Sequence, residues 1–193
     1  MNFFALDLEL NQPSNKIIEV GIAVGNADQG IFLKQNWYLD PEEPIDEYIT
    51  ELTGISDDTI QSNSVPYIQM AAELQAILSE HKCFVNPVQW GAGDGQALRK
   101  ELILRNIPFQ FFGRRDIDVK TIYTYLSIAQ GKKITGGLKS CMGRYKLPFE
   151  GTPHRAHIDA YNTLKFFFVL IERQATLEKA ANLLNSKLRA SND

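Results

Sequence analysis

The sequence predicts an α/β fold built on a five-stranded mixed sheet flanked by helices, and three observations carry that expectation. Three apolar, β-type runs open the chain, each separated from the next by a turn-rich connector. From about residue 65 the apolar residues recur at helical spacing instead. Two further short β-type runs interrupt the helices, so the order reads βββ-α-β-α-β-α without repeat or linker. That order describes a single domain over residues 1–193.

The first three strands are expected at residues 2–10, 16–24 and 31–39. Asn11 to Asn15 and Gly25 to Gly30 supply the turns of an antiparallel meander. Asp40-Pro41-Glu42-Glu43-Pro44 stops the third strand, because proline has no N–H to give to a central ladder. A short helix over about 46–52 breaks at Thr53-Gly54. Val65, Ile68, Met70, Leu74, Ile77 and Leu78 then trace a helix over 65–80. Cys83-Phe84-Val85 is expected as the fourth strand, and Gly91-Ala92-Gly93 leads into an amphipathic helix from Asp94 to about Arg105. A fifth strand at 115–119 and helices near 119–129 and 137–146 precede a loop at 151–153. A long helix covers about 155–173. A final helix over about 175–190 is expected to pack on the domain, with Leu177, Leu183, Leu184 and Leu188 along one side.

Composition narrows the function classes. No run approaches the ~18–20 apolar residues that span a bilayer, and Asp7 interrupts what could have been a signal core. Cys83 and Cys141 are lone cysteines, which argues against a zinc cluster or a disulfide framework and fits a cytoplasmic protein. The net charge of −3 conceals an asymmetry. Residues 1–98 hold 3 Lys/Arg against 15 Asp/Glu, whereas residues 99–155 hold 12 against 4. Such blocks suit acids that bind metal and bases that meet a polyanion.

Chemistry enters with Asp7 and Glu9, two carboxylates in the apolar run Phe3 to Leu10. Residues two apart on a strand share a face, so the pair repels and loses hydration unless a cation lies between them. A solvated acidic edge is the plain alternative for an isolated D-x-E. Two more acids stand in suggestive places: Asp94 where a glycine-rich turn enters a helix, and Asp159 early in the helix that follows His154-Arg155-Ala156-His157. Each could instead be an ordinary helix-start residue.

The ordered set D-x-E, D, H-x-x-x-x-D resembles the DEDDh branch of the DnaQ-like 3′→5′ exonucleases, over nearly the whole chain. Asp7-Leu8-Glu9, Trp90 to Asp94 and His154 to Asp159 look like its three motifs. Ile18-Glu19-Val20-Gly21, Glu51 to Ile55, Gly137-Leu138-Lys139 and Phe149-Glu150-Gly151 are similar to the branch that trims RNA 3′ ends, the histone-mRNA and small-RNA exonucleases. One departure is Gly93, where many relatives carry an aromatic residue.

The resemblance implies a ribonuclease H-like fold and a metal-dependent 3′→5′ exonuclease. It would act on the 3′ ends of single-stranded RNA or DNA and release nucleoside 5′-monophosphates. Two divalent ions, Mg²⁺ or Mn²⁺, would be held by Asp7, Glu9, Asp94 and Asp159. His154 would be the general base, placed in a loop before the helix; His157, turned away from Asp159 if helical, reads as a packing residue. Leu8, Leu10, Thr53, Gly54 and Ile55 would line the terminal-nucleotide pocket. By charge alone Arg99, Lys139 and Arg155 are phosphate-contact candidates. Phe109, Phe111 and Phe112 could stack bases, although core packing is the plainer reading. Asp116-Ile117-Asp118, among basic residues, and Trp90 read as structural. A DNA proofreading or repair exonuclease and a non-catalytic nucleic-acid-binding module on the same fold are the alternatives. Neither the sugar preference nor the oligomeric state is legible.

Overall fold

The computed structural model describes residues 1–110 and 112–190, with the backbone alone for 184 and 186–190. Its sheet has five strands: β1 (Phe3–Leu10), β2 (Ile17–Asn26), β3 (Gly30–Tyr38), β4 (Val88–Gln89) and β5 (Ile117–Asp118), in the spatial order β3-β2-β1-β4-β5. β1, β2 and β3 form the antiparallel meander, and β4 and β5 add in parallel. With its helices on both faces, this is the mixed-sheet, ribonuclease H-like architecture expected.

Seven helices complete the described chain: α1 (Glu47–Thr53), α2 (Asp57–Asn63), α3 (Tyr67–Glu80), α4 (Asp94–Leu104), α5 (Val119–Ala129), α6 (Leu138–Arg144) and α7 (Ala156–Ala190). The pleat of β1 sorts its side chains. Phe4, Leu6 and Leu8 join Met70, Leu74, Leu78, Leu98 and Leu102 in the core under α3 and α4. Ala5 faces the opposite core, built with α5, α6 and α7 around Tyr123, Leu164 and Phe166. Asp7 and Glu9 share that second face. Across from them β2 offers Glu19, Gly21 and Ala23, and the register pairs Asp7 with Gly21 and Glu9 with Glu19. The α7 face is thus lined by small residues, which lets the helix lie close.

Three expectations need correction. The fourth strand lies at Val88–Gln89 rather than Cys83–Val85; Cys83 makes only an isolated bridge to Asn2, and the ladder forms just after Pro87, which lacks an N–H. A short helix, α2, was not anticipated; Ser56 caps it by accepting from Thr59 N–H. The two last helices are one. Gln174, Ala175 and Thr176 continue α7 without a break, and the Thr176 hydroxyl donates back to the Glu172 carbonyl at 2.9 Å. Side chains from Ile171 to Leu183 are exposed, so this stretch prolongs α7 instead of folding back as a separate packed helix. Leu184 and Leu188 lie outside the described side chains, as Phe111 lies outside the described residues.

Candidate active site

Three elements bring the acids together. β1 projects Asp7 and Glu9 from mid-sheet, and the first turn of α7 supplies Asp159. Asp94 opens α4 after a loop in which Gly91 (φ 92°) and Gly93 (φ 132°) adopt backbone that an L side chain rarely tolerates. Asp118 secures that loop: its carboxylate caps α5 through Lys120 and Thr121 N–H and accepts from Gly91 N–H at 3.1 Å. His154 sits just before α7 in a left-handed conformation (φ 63°), and its backbone N–H donates to Asp159 Oδ2 at 2.7 Å. One donor atom from each of Glu9, His154 and Asp159 lies within 4.8 Å of the others.

Asp7, Leu8, Glu9, His154 and Asp159 line a cleft of about 650 Å³. Trp90, Leu138, Phe149 and Pro153 form its apolar walls, and Lys139 and Ser140 stand in its lining. Trp90 also packs on Tyr123 and Phe166, so it serves the core and the cleft together.

The electrostatics are those of a site that asks for cations. Burial pushes the Asp7 carboxyl well above the usual carboxylate range, and Asp94, Glu9 and Asp159 push it further. Burial together with Asp159, Glu19 and Asp94 raises Glu9 to about 8. Asp94 is raised to about 6, by burial and then by Asp116. Asp159 is raised by burial, an effect only partly offset by the His154 N–H. Oxygen donors that crowd and repel, beside one imidazole, suit hard divalent ions of the Mg²⁺ or Mn²⁺ type.

Behind the acids lies a second layer that sequence reasoning did not assign. Glu19 is fully buried and accepts from Asn36 Nδ2 (2.8 Å), Ala156 N–H (3.0 Å), the Arg155 guanidinium (3.3 and 3.4 Å) and His157 Nδ1 (3.4 Å). Burial opposes its charge, but these donors outweigh it and hold Glu19 below its ordinary value. Two residues on, a Cβ at Gly21 would lie 2.1 Å from the backbone of Ala156 and of His157. The start of α7 is therefore seated directly on β2. The only signal in the sequence was Glu19 in the stretch Ile18 to Gly21; apart from Asn36, its partners lie more than a hundred residues away.

Several expected contacts fall elsewhere. Thr53 and Ile55 are buried: Thr53 Oγ1 donates to the Ile49 carbonyl and Ile55 packs with Ile18, Ile45, Ile49 and Ile60. Their side chains are therefore held in the core away from the cleft, leaving Gly54 (φ 74°) exposed as the cap of α1. Leu10 is half-buried beside the α3–α4 core, whereas Leu8 does line the cleft. Arg155 is engaged by Glu19 and by the Tyr38 hydroxyl, with its guanidinium 5.6 Å from the Tyr38 ring centre, so it is committed to the protein and not free for a phosphate. Arg99 donates to the Gly113 carbonyl. Lys139 is the expected phosphate contact that does reach the cleft. Phe109 and Phe112 pack on the core, Phe112 stacked on Phe4 at 5.6 Å. Asp116 is not a bystander among basic residues, since it acts electrostatically on Asp94.

The exonuclease family model matches residues 4–167, which spans all the acids and His154. The chain belongs to the exonuclease family. A comparison with curated protein sequences gives no match. Solved structures share the exonuclease fold at low identity. The nuclease domain of 3′hExo, a DEDDh family member bound to rAMP, is 14% identical with a TM-score of 0.76, over 89% of this chain and 92% of that one. S. pombe Pop2p in its Mg²⁺- and Mn²⁺-bound form is 16% identical with a TM-score of 0.64, over 89% and 82%. E. coli exonuclease I in complex with a dT13 oligonucleotide is 12% identical with a TM-score of 0.68, over 93% of this exonuclease chain but 42% of the longer protein.

Proposed function

We propose that this exonuclease hydrolyses single-stranded nucleic acid from the 3′ end, RNA or a 3′ overhang foremost, using two divalent cations held by Asp7, Glu9, Asp94 and Asp159. The observation that carries the reading is the half-buried cluster of mutually repelling carboxylates at a cleft that His154 also lines. A pure binding module would gain nothing from such a cluster. The rAMP on 3′hExo, the dT13 on exonuclease I and the ions in Pop2p support the substrate class and the metal.

When bound, the cations acidify a water and stabilise charge on the leaving 3′-oxygen. The chain's own residues do the rest. His154 takes the water's proton onto an imidazole nitrogen, as its place beside Glu9 and Asp159 allows. The bond from its N–H to Asp159 holds that loop in position. Trp90, Leu8, Leu138 and Phe149 give a nucleobase apolar and aromatic surface and keep bulk water away, and Lys139 offers a positive charge to a phosphate. Breaking the bond between the last linkage's phosphorus and the 3′-oxygen of the penultimate nucleotide would leave that phosphate on the released 5′-monophosphate and a 3′-hydroxyl on the shortened strand.

The test is a time course on 5′-labelled RNA and DNA of one sequence, with Mg²⁺ or EDTA and with Asp7→Ala as the control. A ladder that shortens from the 3′ end only with metal, and is absent in the mutant, is expected. No ladder on either strand with Mn²⁺ also tried would refute the activity, and faster DNA hydrolysis would move the substrate to a DNA end.

A further inference from the structure

Glu19 is the one charged residue among the buried side chains of the described structure, and it sits directly across from Glu9 in the β1–β2 ladder. Facing side chains in such a pair have Cβ atoms roughly 5 Å apart. The Arg155 guanidinium is therefore held on one carboxylate while a second lies beside it. Building on the metal reading above, we propose that Glu19 is a positioning residue that keeps Arg155 out of the metal site, so that the guanidinium does not compete with cations for Glu9.

Four contacts hold the guanidinium where it is. Its Nε and Nη2 donate to Glu19 Oε2 and Oε1 at 3.4 and 3.3 Å, Nη2 also donates to the Tyr38 hydroxyl, and the Tyr38 ring lies against it. Arg155 keeps 28% of its side chain exposed, so it has room to turn. A guanidinium matches a carboxylate in a two-bond fork, and such a fork on Glu9 would cover the oxygens a cation needs. Glu19, together with Tyr38, holds the guanidinium away from it.

Glutamine separates this role from mere support. Glu19→Gln keeps an acceptor oxygen for Ala156 N–H and nearly the same volume, but removes the charge that retains Arg155. The experiment titrates Mn²⁺ into the metal-free protein, without nucleic acid, and reads free Mn²⁺ by electron paramagnetic resonance. Loss of groups behind metal ligands commonly weakens affinity about 10–100-fold, and Glu19→Gln is expected in that range. Adding Arg155→Gln to Glu19→Gln should return affinity to near the wild-type value, a rescue that loss of a purely structural contact would not give.

Unchanged Mn²⁺ affinity in folded Glu19→Gln, or a double variant as weak as the single, would overturn the proposal. Should circular dichroism show Glu19→Gln unfolded, Tyr38→Phe decides. It removes only the phenol oxygen that Arg155 donates to, and is expected to weaken Mn²⁺ binding a few-fold, an effect absent when Arg155 is already Gln. No change in Tyr38→Phe would count against the role. Wild-type protein that binds no Mn²⁺ would be a different failure, sinking the metal-dependent nuclease reading and this inference with it.

Discussion

At Asp7 burial and four neighbouring carboxylates act in the same direction, which makes the residue a stability cost wherever metal is absent. Asp7→Asn keeps the shape and removes the charge. It should raise the melting temperature in EDTA at pH 8 while abolishing hydrolysis, a pairing that differential scanning calorimetry and the ladder assay check together. His154→Ala should cost roughly 10²–10⁴-fold in turnover, the usual range for a general base. His157→Ala, which loses the contact to Glu19 at 3.4 Å, should show mainly as a lower melting temperature with far smaller loss of turnover. Asp7, Glu9, Asp94, His154 and Asp159, which the fold brings to one region, were legible as a set because their order and spacing survive in the linear chain. Arg155 was misjudged for the opposite reason: its charge suggested a phosphate contact, and only the fold reveals a buried carboxylate already claiming it. Thr53 and Ile55 likewise reveal nothing of their burial in a local pattern broken by Gly54.

The crossing of β2 and α7 is the element-scale feature on which the site's geometry depends. Any side chain at Gly21 meets helix backbone, not a side chain that could turn aside. Gly21→Ala should therefore destabilise by about 3 kcal/mol or more, since overpacking against fixed atoms is at the upper end of core costs. Urea unfolding at fixed pH would measure it, and an unchanged midpoint would show that the crossing yields. By contrast, Leu177 is exposed on the C-terminal part of α7, and Leu177→Ala should leave the melting temperature nearly unchanged. The meander was readable from turns and β-type runs. β4 was not, because two residues paired inside a sheet carry no period of their own. The continuity of α7 was hidden by an expectation of compactness that the exposed segment does not meet.

For the molecule as a whole, four raised carboxyl groups link folding to both pH and metal. A carboxyl whose folded value exceeds its unfolded one retains protons that the unfolded chain has shed. Its contribution is present below the ordinary carboxylate range and is lost as pH rises, past about 6 for Asp94 and about 8 for Glu9. Metal-free protein should accordingly melt lower at about pH 8.5 than at about pH 5.5, and saturating Mg²⁺ should narrow the gap. A gap that Mg²⁺ leaves intact would mean the ion does not sit among these acids. The distribution of the acids along the chain has a consequence for timing during synthesis. Asp7 and Glu9 are made long before Asp159, and the crossing that seats α7 on β2 likewise joins residues far apart in the chain. A ribosome-bound fragment that stops short of α7 lacks Asp159 and the helix start that seats on β2. The carboxylate cluster should thus be completed only after the start of α7 has left the ribosome.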